Sequence, residues 1–206
     1  MLHIDADGEI WDDKIRLRIF PELHSKKKMT HVNGIIVHQT DSTTAESTFN
    51  QYRKAGSNGA HFLIDKDGTV YQTASLHRKT NHVGKLKHRC KLEKSCTPTE
   101  IKKLGIHKMK PTPLHEHEMK KKWPVRFPIN EDSIGIELVG KAYPIDEPDP
   151  DKKTFESVTA EQNESLQWLV KELQMTLGLE MREVFTHPDI SRKNRTEAST
   201  AKWFKE

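Results

Sequence analysis

The chain has 206 residues, 33% of them hydrophobic, and a formal net charge of +4, which is length enough for one domain with its own core. No apolar run approaches the roughly 20 residues needed to cross a bilayer. The acidic start, "MLHIDADGEIWDD", lacks the apolar stretch of a secretory signal peptide, so synthesis in the cytoplasm without that export route is expected.

In chain order, "KIRLRIF" (14–20) alternates Ile15, Leu17 and Ile19 with basic residues, the period of a half-buried strand. "GIIVH" (34–38) is a continuous apolar run, as in a strand covered on both faces, and it ends on His38. Asp41, Ser42 and Thr44 are alternative N-caps for a helix to about Lys54. Phe49 and Tyr52 share one face of that helix, and Gly56 can end it. "AHFLIDKDGTVYQ" reads as a β-hairpin turning at Asp67-Gly68, with His61 a structural residue in mid-strand.

The segment from about 85 to 128 breaks the pattern. Lys85 to Lys122 holds 12 Lys/Arg against 4 Asp/Glu, a local +8 that leaves −4 for the rest. It reads as a long inserted loop with room for one short helix, carrying His88, His107, His115 and His117. A solvated surface is the plain reading of such a charge run. An anionic polymer is the alternative, and no RNA-binding aromatic signature or zinc-finger spacing favours nucleic acid. Cys90 and Cys96 lack C-x-x-C spacing; they form one loop-closing bridge in an oxidising compartment or stay free thiols in the cytosol.

Beyond it, "SIGIELVG" (133–140) is a strand with Ile134, Ile136 and Leu138 on one face and Glu137 on the other. "TAEQNESLQWLVKELQMTLGL" is the clearest helix. Thr159 and Gln162 fit a capping box, Leu166, Leu169, Val170, Leu173 and Leu177 form its stripe, and Gly178 follows its end. "REVFTH" (182–187) reads as a strand ending on His187, and the tail is expected to pack Trp203 and Phe204 back as a last helical turn. Alternating strands and helices argue an α/β chain, a central mixed sheet flanked by helices, in one domain spanning 1–206.

His38, His187 and Glu197, ten positions past His187, form a set of two histidines and one carboxylate, the ligand chemistry of catalytic zinc sites. Such a zinc needs a base, for which Glu137 is the candidate, and Arg195 offers charge against an oxyanion. Spacing alone leaves the competing reading open, because strand-end histidines can merely satisfy their own ring hydrogen bonds. Lys193 could stand in for Arg195, Asp189 fits a turn cap after His187, and His115 and His117 are either surface residues or a second metal pair.

The ordered motifs "GIIVHQT", "GAHFLIDKDGTVYQ", "NHVG", "SIGIELVG" and "THPDISRKNRTE" resemble the zinc-dependent N-acetylmuramoyl-L-alanine amidases, which share a fold with peptidoglycan-recognition proteins. The resemblance covers about residues 30–205, apart from the insertion. It implies that His38 and His187 bind Zn2+, with Glu197 where the family has Asp or Cys. It further implies Glu137 as acid/base, Arg195 (usually lysine) as transition-state cation, and His82 in the substrate groove. Ala60 stands where some members carry an active-site tyrosine. Peptidoglycan or muropeptides are the implied partners, cleaved between N-acetylmuramic acid and L-alanine. The alternatives are a recognition module that binds without cleaving, or a cytosolic recycling enzyme. With the basic insertion, the expectation is a lytic monomer acting at the cell wall or periplasm, a phage endolysin or an injected antibacterial effector. An effector would also meet an immunity protein and a secretion machinery.

Overall fold

The computed structural model describes residues 1–104 and 109–204; His107 and the last two residues of the tail lie outside them. Strand β1 (Ile15–Leu17) is short, with Ile15 buried and Leu17 only half-buried. β2 (Gly34–Gln39) is buried at every position, as its unbroken apolar run requires. Helix α1 (Ala45–Tyr52) is capped by Thr44, whose hydroxyl accepts from the Ser47 N–H. β3 (Phe62–Ile64) and β4 (Val70–Gln72) form the antiparallel hairpin, and Gly68 takes φ +84° in its turn.

The insertion carries α2 (Arg89–Leu92), α3 (Pro98–Leu104) and α4 (Pro111–Met119), where the sequence left room for one helix. Pro98 and Pro111 open α3 and α4 at the position where a missing N–H costs nothing. Cys90 and Cys96 are joined in a disulfide.

β5 (Ser133–Leu138) leads to a small ribbon of β6 (Ala142–Tyr143) and β7 (Thr154–Phe155). α5 (Ala160–Leu177) has the expected capping box, and Gly178 ends it at φ +70°. The last strand, β8 (Val184–Thr186), stops one residue short of His187. Thr186 caps α6 (His187–Ile190) in a reciprocal pair with Asp189, so His187 opens a helical turn rather than closing a strand. Among the described residues the tail, to Phe204, contains no helix: Trp203 packs half-buried against the main core, while Phe204 is exposed.

Six strands make one mixed sheet in the order β1-β4-β3-β5-β2-β8, parallel at every pairing except β3 with β4. On one face, Ile35, Val37, Ile134, Ile136 and Leu138 meet Leu166, Leu169, Val170 and Leu173 of α5. Each such side chain contributes about 1.5–3 kcal/mol by leaving water, which makes this contact the main hold on the fold. The opposite face is shared. Leu63 packs under Phe49 and Tyr52 of α1, while Ile36 and Phe185 pack under Leu86 and Phe127 of the insertion. Side chains alternate along a strand, so His38 follows Ile36, and Glu137 follows Gly135, onto this second face. The parallel register pairs His38 directly with Glu137. Both therefore emerge at the strand ends, between α1 and the insertion.

Candidate active site

The cleft at those strand ends has a volume of about 640 Å3 and is lined by His38, His82, Glu137, His187, Lys193 and Glu197, among others. His38, His187 and Glu197 are all buried, and their ligand atoms lie within 4.8 Å of one another. Glu197 Oε1 is 2.9 Å from His187 Nδ1 and 3.6 Å from His38 Nδ1. Two donors bound to one zinc at about 2.0 Å with tetrahedral angles stand about 3.3 Å apart, so these spacings suit such a site.

The motif "NHVG" orients both imidazoles from behind. The Val83 carbonyl can only accept, so His187 Nε2, 3.0 Å away, must carry a hydrogen and leaves Nδ1 facing Glu197. The second chain of bonds is longer. Ser133 Oγ donates to the Ile129 carbonyl and is left to accept from His82 Nε2. His82 Nδ1 then accepts from His38 Nε2 at 3.1 Å, which turns the lone pair of His38 Nδ1 toward Glu197. Burial first, and then the neighbouring His38, push the His82 imidazole well below the usual histidine range, so it stays neutral as this chain requires. Burial and His187 likewise bring His38 down to about 4. Two nitrogens and a carboxylate oxygen thus converge on one point, and such a set calls for a positive charge between them, a proton or a metal cation. The donor set fits a metal.

The loop carrying Glu197 is tied on both sides. Asn194 Nδ2 donates to the Pro150 and Lys153 carbonyls. The Ala198 N–H, in a left-handed residue at φ +53°, donates to Gln39 Oε1 at 3.0 Å. Burial works to raise the Glu197 carboxyl, but the facing imidazoles of His187 and His38 outweigh this and hold it at about 2. It is an anion at neutral pH.

Glu137 behaves oppositely. Burial raises its carboxyl to about 7, against the hydrogen bond from the Tyr52 hydroxyl at 2.6 Å and with the help of the Glu197 charge. A group that titrates there can take and return protons near neutrality. Sequence reading places Tyr52 only on the apolar face of α1; nothing in the pattern marks its hydroxyl as reaching across to β5. That hydroxyl enters the site from α1, while Ala60 is fully buried.

The structure brings together His38, His82, Glu137, His187 and Glu197, but not Arg195. That guanidinium is exposed, lies close enough to Lys87 to affect its charge, and does not line the cleft. Two lysines do line it, Lys153 and Lys193, and the charge of Lys193 is felt at both Glu137 and His38. The turn between His187 and Glu197 thus presents a different basic residue from the one that spacing selects. Asp189 binds the Thr186 N–H and hydroxyl as a cap, and does not line the cleft. His61 is fully buried, with Nε2 on the Arg78 carbonyl and Nδ1 accepting from the Gly135 N–H. His115 Nδ1 accepts from the Leu86 N–H, which anchors α4 to the chain just past the "NHVG" motif.

A buried near-neutral carboxyl facing two imidazoles and a carboxylate, on an α/β sheet, is the apparatus of a hydrolase. The model of the family described as N-acetylmuramoyl-L-alanine amidase matches residues 28–199, and the chain belongs to that family. No match to a curated protein was found. Among solved structures, the catalytic domain of XlyA is similar at 19% identity and a TM-score of 0.51, over 87% of each chain. A selenomethionine derivative of AmpD is similar at 15% identity and a TM-score of 0.50, over 97% of this chain and 93% of that one. AmpDh3 from Pseudomonas aeruginosa, in complex with an anhydromuramic pentapeptide, is similar at 18% identity and a TM-score of 0.53, over 83% of this chain and 57% of that one. At these identities the likeness is one of fold, the central mixed sheet flanked by helices.

Proposed function

We propose that the chain is a zinc-dependent amidase that hydrolyses the bond between the lactyl group of N-acetylmuramic acid and the L-alanine of the stem peptide. The observation that carries this reading is the pairing, within one cleft, of Glu137 at about 7 with the converging His38, His187 and Glu197. His38, His187 and Glu197 would hold the zinc, which when bound supplies a Lewis acid for the scissile carbonyl and a water of lowered pKa. Glu137 accepts the proton of the attacking water and hands it to the leaving amine of L-alanine. Tyr52, donating to Glu137, fixes the direction of that carboxylate. The Lys193 ammonium stands in the cleft where positive charge stabilises the carbonyl oxygen as it becomes anionic. AmpDh3, with its anhydromuramic pentapeptide, supports a muropeptide-type substrate.

The setting we propose is lytic, on cell-wall polymer in the periplasm or a target cell, as an endolysin or an antibacterial effector. Two features support this: the local +8 over 85–122, suited to an anionic wall, and the Cys90–Cys96 disulfide, which persists in oxidising compartments. Incubating zinc-loaded protein with disaccharide pentapeptides and with intact sacculi, followed by mass spectrometry, tests both parts. The activity requires a new L-alanine amino terminus and a free lactyl carboxylate. Absence of that cleavage with zinc bound overturns it, and cleavage of the soluble fragments alone overturns the lytic setting.

A further inference from the structure

Lys85 to Lys122 contains only four acidic residues, yet two of them, Glu100 of α3 and Glu118 of α4, meet at one point. His117 joins them, and the three ligand atoms lie within 4.8 Å of one another. The Glu118 side chain is fully buried. His88 Nδ1 holds its Oε1 at 2.8 Å, and Lys121 Nζ reaches the same oxygen at 2.7 Å. Its other oxygen, Oε2, is buried with no partner among the described residues. A carboxylate oxygen in that state loses its hydration without return, and an ion is one of the few things that repays it.

We propose that the insertion holds a second divalent-cation site, with Glu100, His117 and Glu118 as ligands and zinc as its metal. Two carboxylates and an imidazole are an O,O,N set that binds zinc at about 2.0–2.2 Å, leaving one tetrahedral position for water. His88 has the place that partners of ligating groups take in such sites, holding one ligand in orientation. Lys121 is the cation that competes: its ammonium bridges Glu100 and Glu118, and metal entry displaces it toward solvent. The site ties α3 to α4, while the disulfide ties α2 to the residues just ahead of α3. Together they fix an insertion that packs on the second face of the sheet through Leu86 and Phe127.

The test is a calorimetric titration of the chelator-stripped full chain with Zn2+ alone, with bound metal counted by elemental mass spectrometry. Two zinc ions bind the wild type, while Glu118→Gln and Glu100→Gln each keep one. His187→Ala also keeps one, that of the insertion. Lys121→Met, which removes the competing ammonium, keeps two and tightens the insertion site by about tenfold. Far-UV circular dichroism checks folding, and Glu100→Gln decides the matter if Glu118→Gln unfolds. If the wild type binds one zinc that Glu100→Gln leaves in place, the proposal is overturned; so it is if Lys121→Met fails to tighten binding. One zinc in the wild type and none in Glu100→Gln keeps the insertion site and overturns the active-site metal instead.

Discussion

His82 is expected from sequence to line a substrate groove, but its bonds give it a second task, and replacing it separates the two. In His82→Leu the acceptor for His38 Nε2 is lost, so nothing selects the tautomer whose Nδ1 lone pair faces Glu197. Ser133 Oγ keeps its own bond to the Ile129 carbonyl, so the damage stays at His38. Losing the partner of a metal-ligating imidazole costs about 10–100-fold in metal affinity, or about 1.4–2.7 kcal/mol. Little room exists for rearrangement: a Cβ on Gly135 would stand 2.8 Å from His82 Nδ1, so the ring is seated against backbone. The assay is zinc affinity by competition with a graded chelator, alongside KM on muropeptide. His82→Leu should weaken zinc by that factor, and His82→Gln, whose amide oxygen can still accept, should recover part of it. Unchanged zinc affinity together with a raised KM would refute the positioning argument and leave His82 a substrate contact only.

Glu137→Gln should retain zinc and fold while kcat falls about 10²–10⁴-fold, since the amide cannot accept a proton; loss of metal would make Glu137 a ligand. Tyr52→Phe removes a hydrogen bond that stabilises the Glu137 anion. The Glu137 carboxyl therefore rises above about 7, and the acidic limb of the kcat/KM profile moves to higher pH; a shift to lower pH would contradict the geometry. Lys193→Met should lower kcat by about 10²–10³-fold, the cost of a lost oxyanion donor, while Arg195→Met has little effect; the reverse order would restore Arg195 to the site. Glu197→Ala should shed the active-site zinc and Glu197→Asp keep part of it, measured on the same chelator series.

Much of the fold is legible in the sequence because its signals are local. The α5 stripe, its capping box and Gly178 read correctly because each depends on residues three or four apart. The face assignment of Glu137 follows from period two alone. Reading fails where one residue type serves two ends. Pro98 and Pro111 look like marks of irregular chain, yet proline is equally at home opening a helix, so α3 and α4 stay hidden. The strand ending on His187 loses its last residue to the Thr186–Asp189 cap, which in sequence is visible only as a turn. Trp203 finds its apolar contact without a helix, because a half-buried indole needs only a surface to lie on.

The site divides along the same line. His38, Glu137 and His187 lie at or just past the ends of β2, β5 and β8, where register places them and sequence order can reveal them. What holds them in working orientation is invisible to residue type. Val83 contributes a carbonyl that any residue could offer, and Tyr52 contributes a hydroxyl from a helix face chosen for burial. Glu197 shows why both layers matter. Its arm is one methylene longer than an aspartate, and a longer arm gives a poorer ligand unless its base is fixed. Here the base is fixed by Asn194 on one side and by Gln39 holding the strained Ala198 on the other, so the carboxylate reaches the imidazoles from a tethered backbone. Gln39 directly follows His38 on β2, and one short stretch of strand thereby supplies a ligand and the anchor for another.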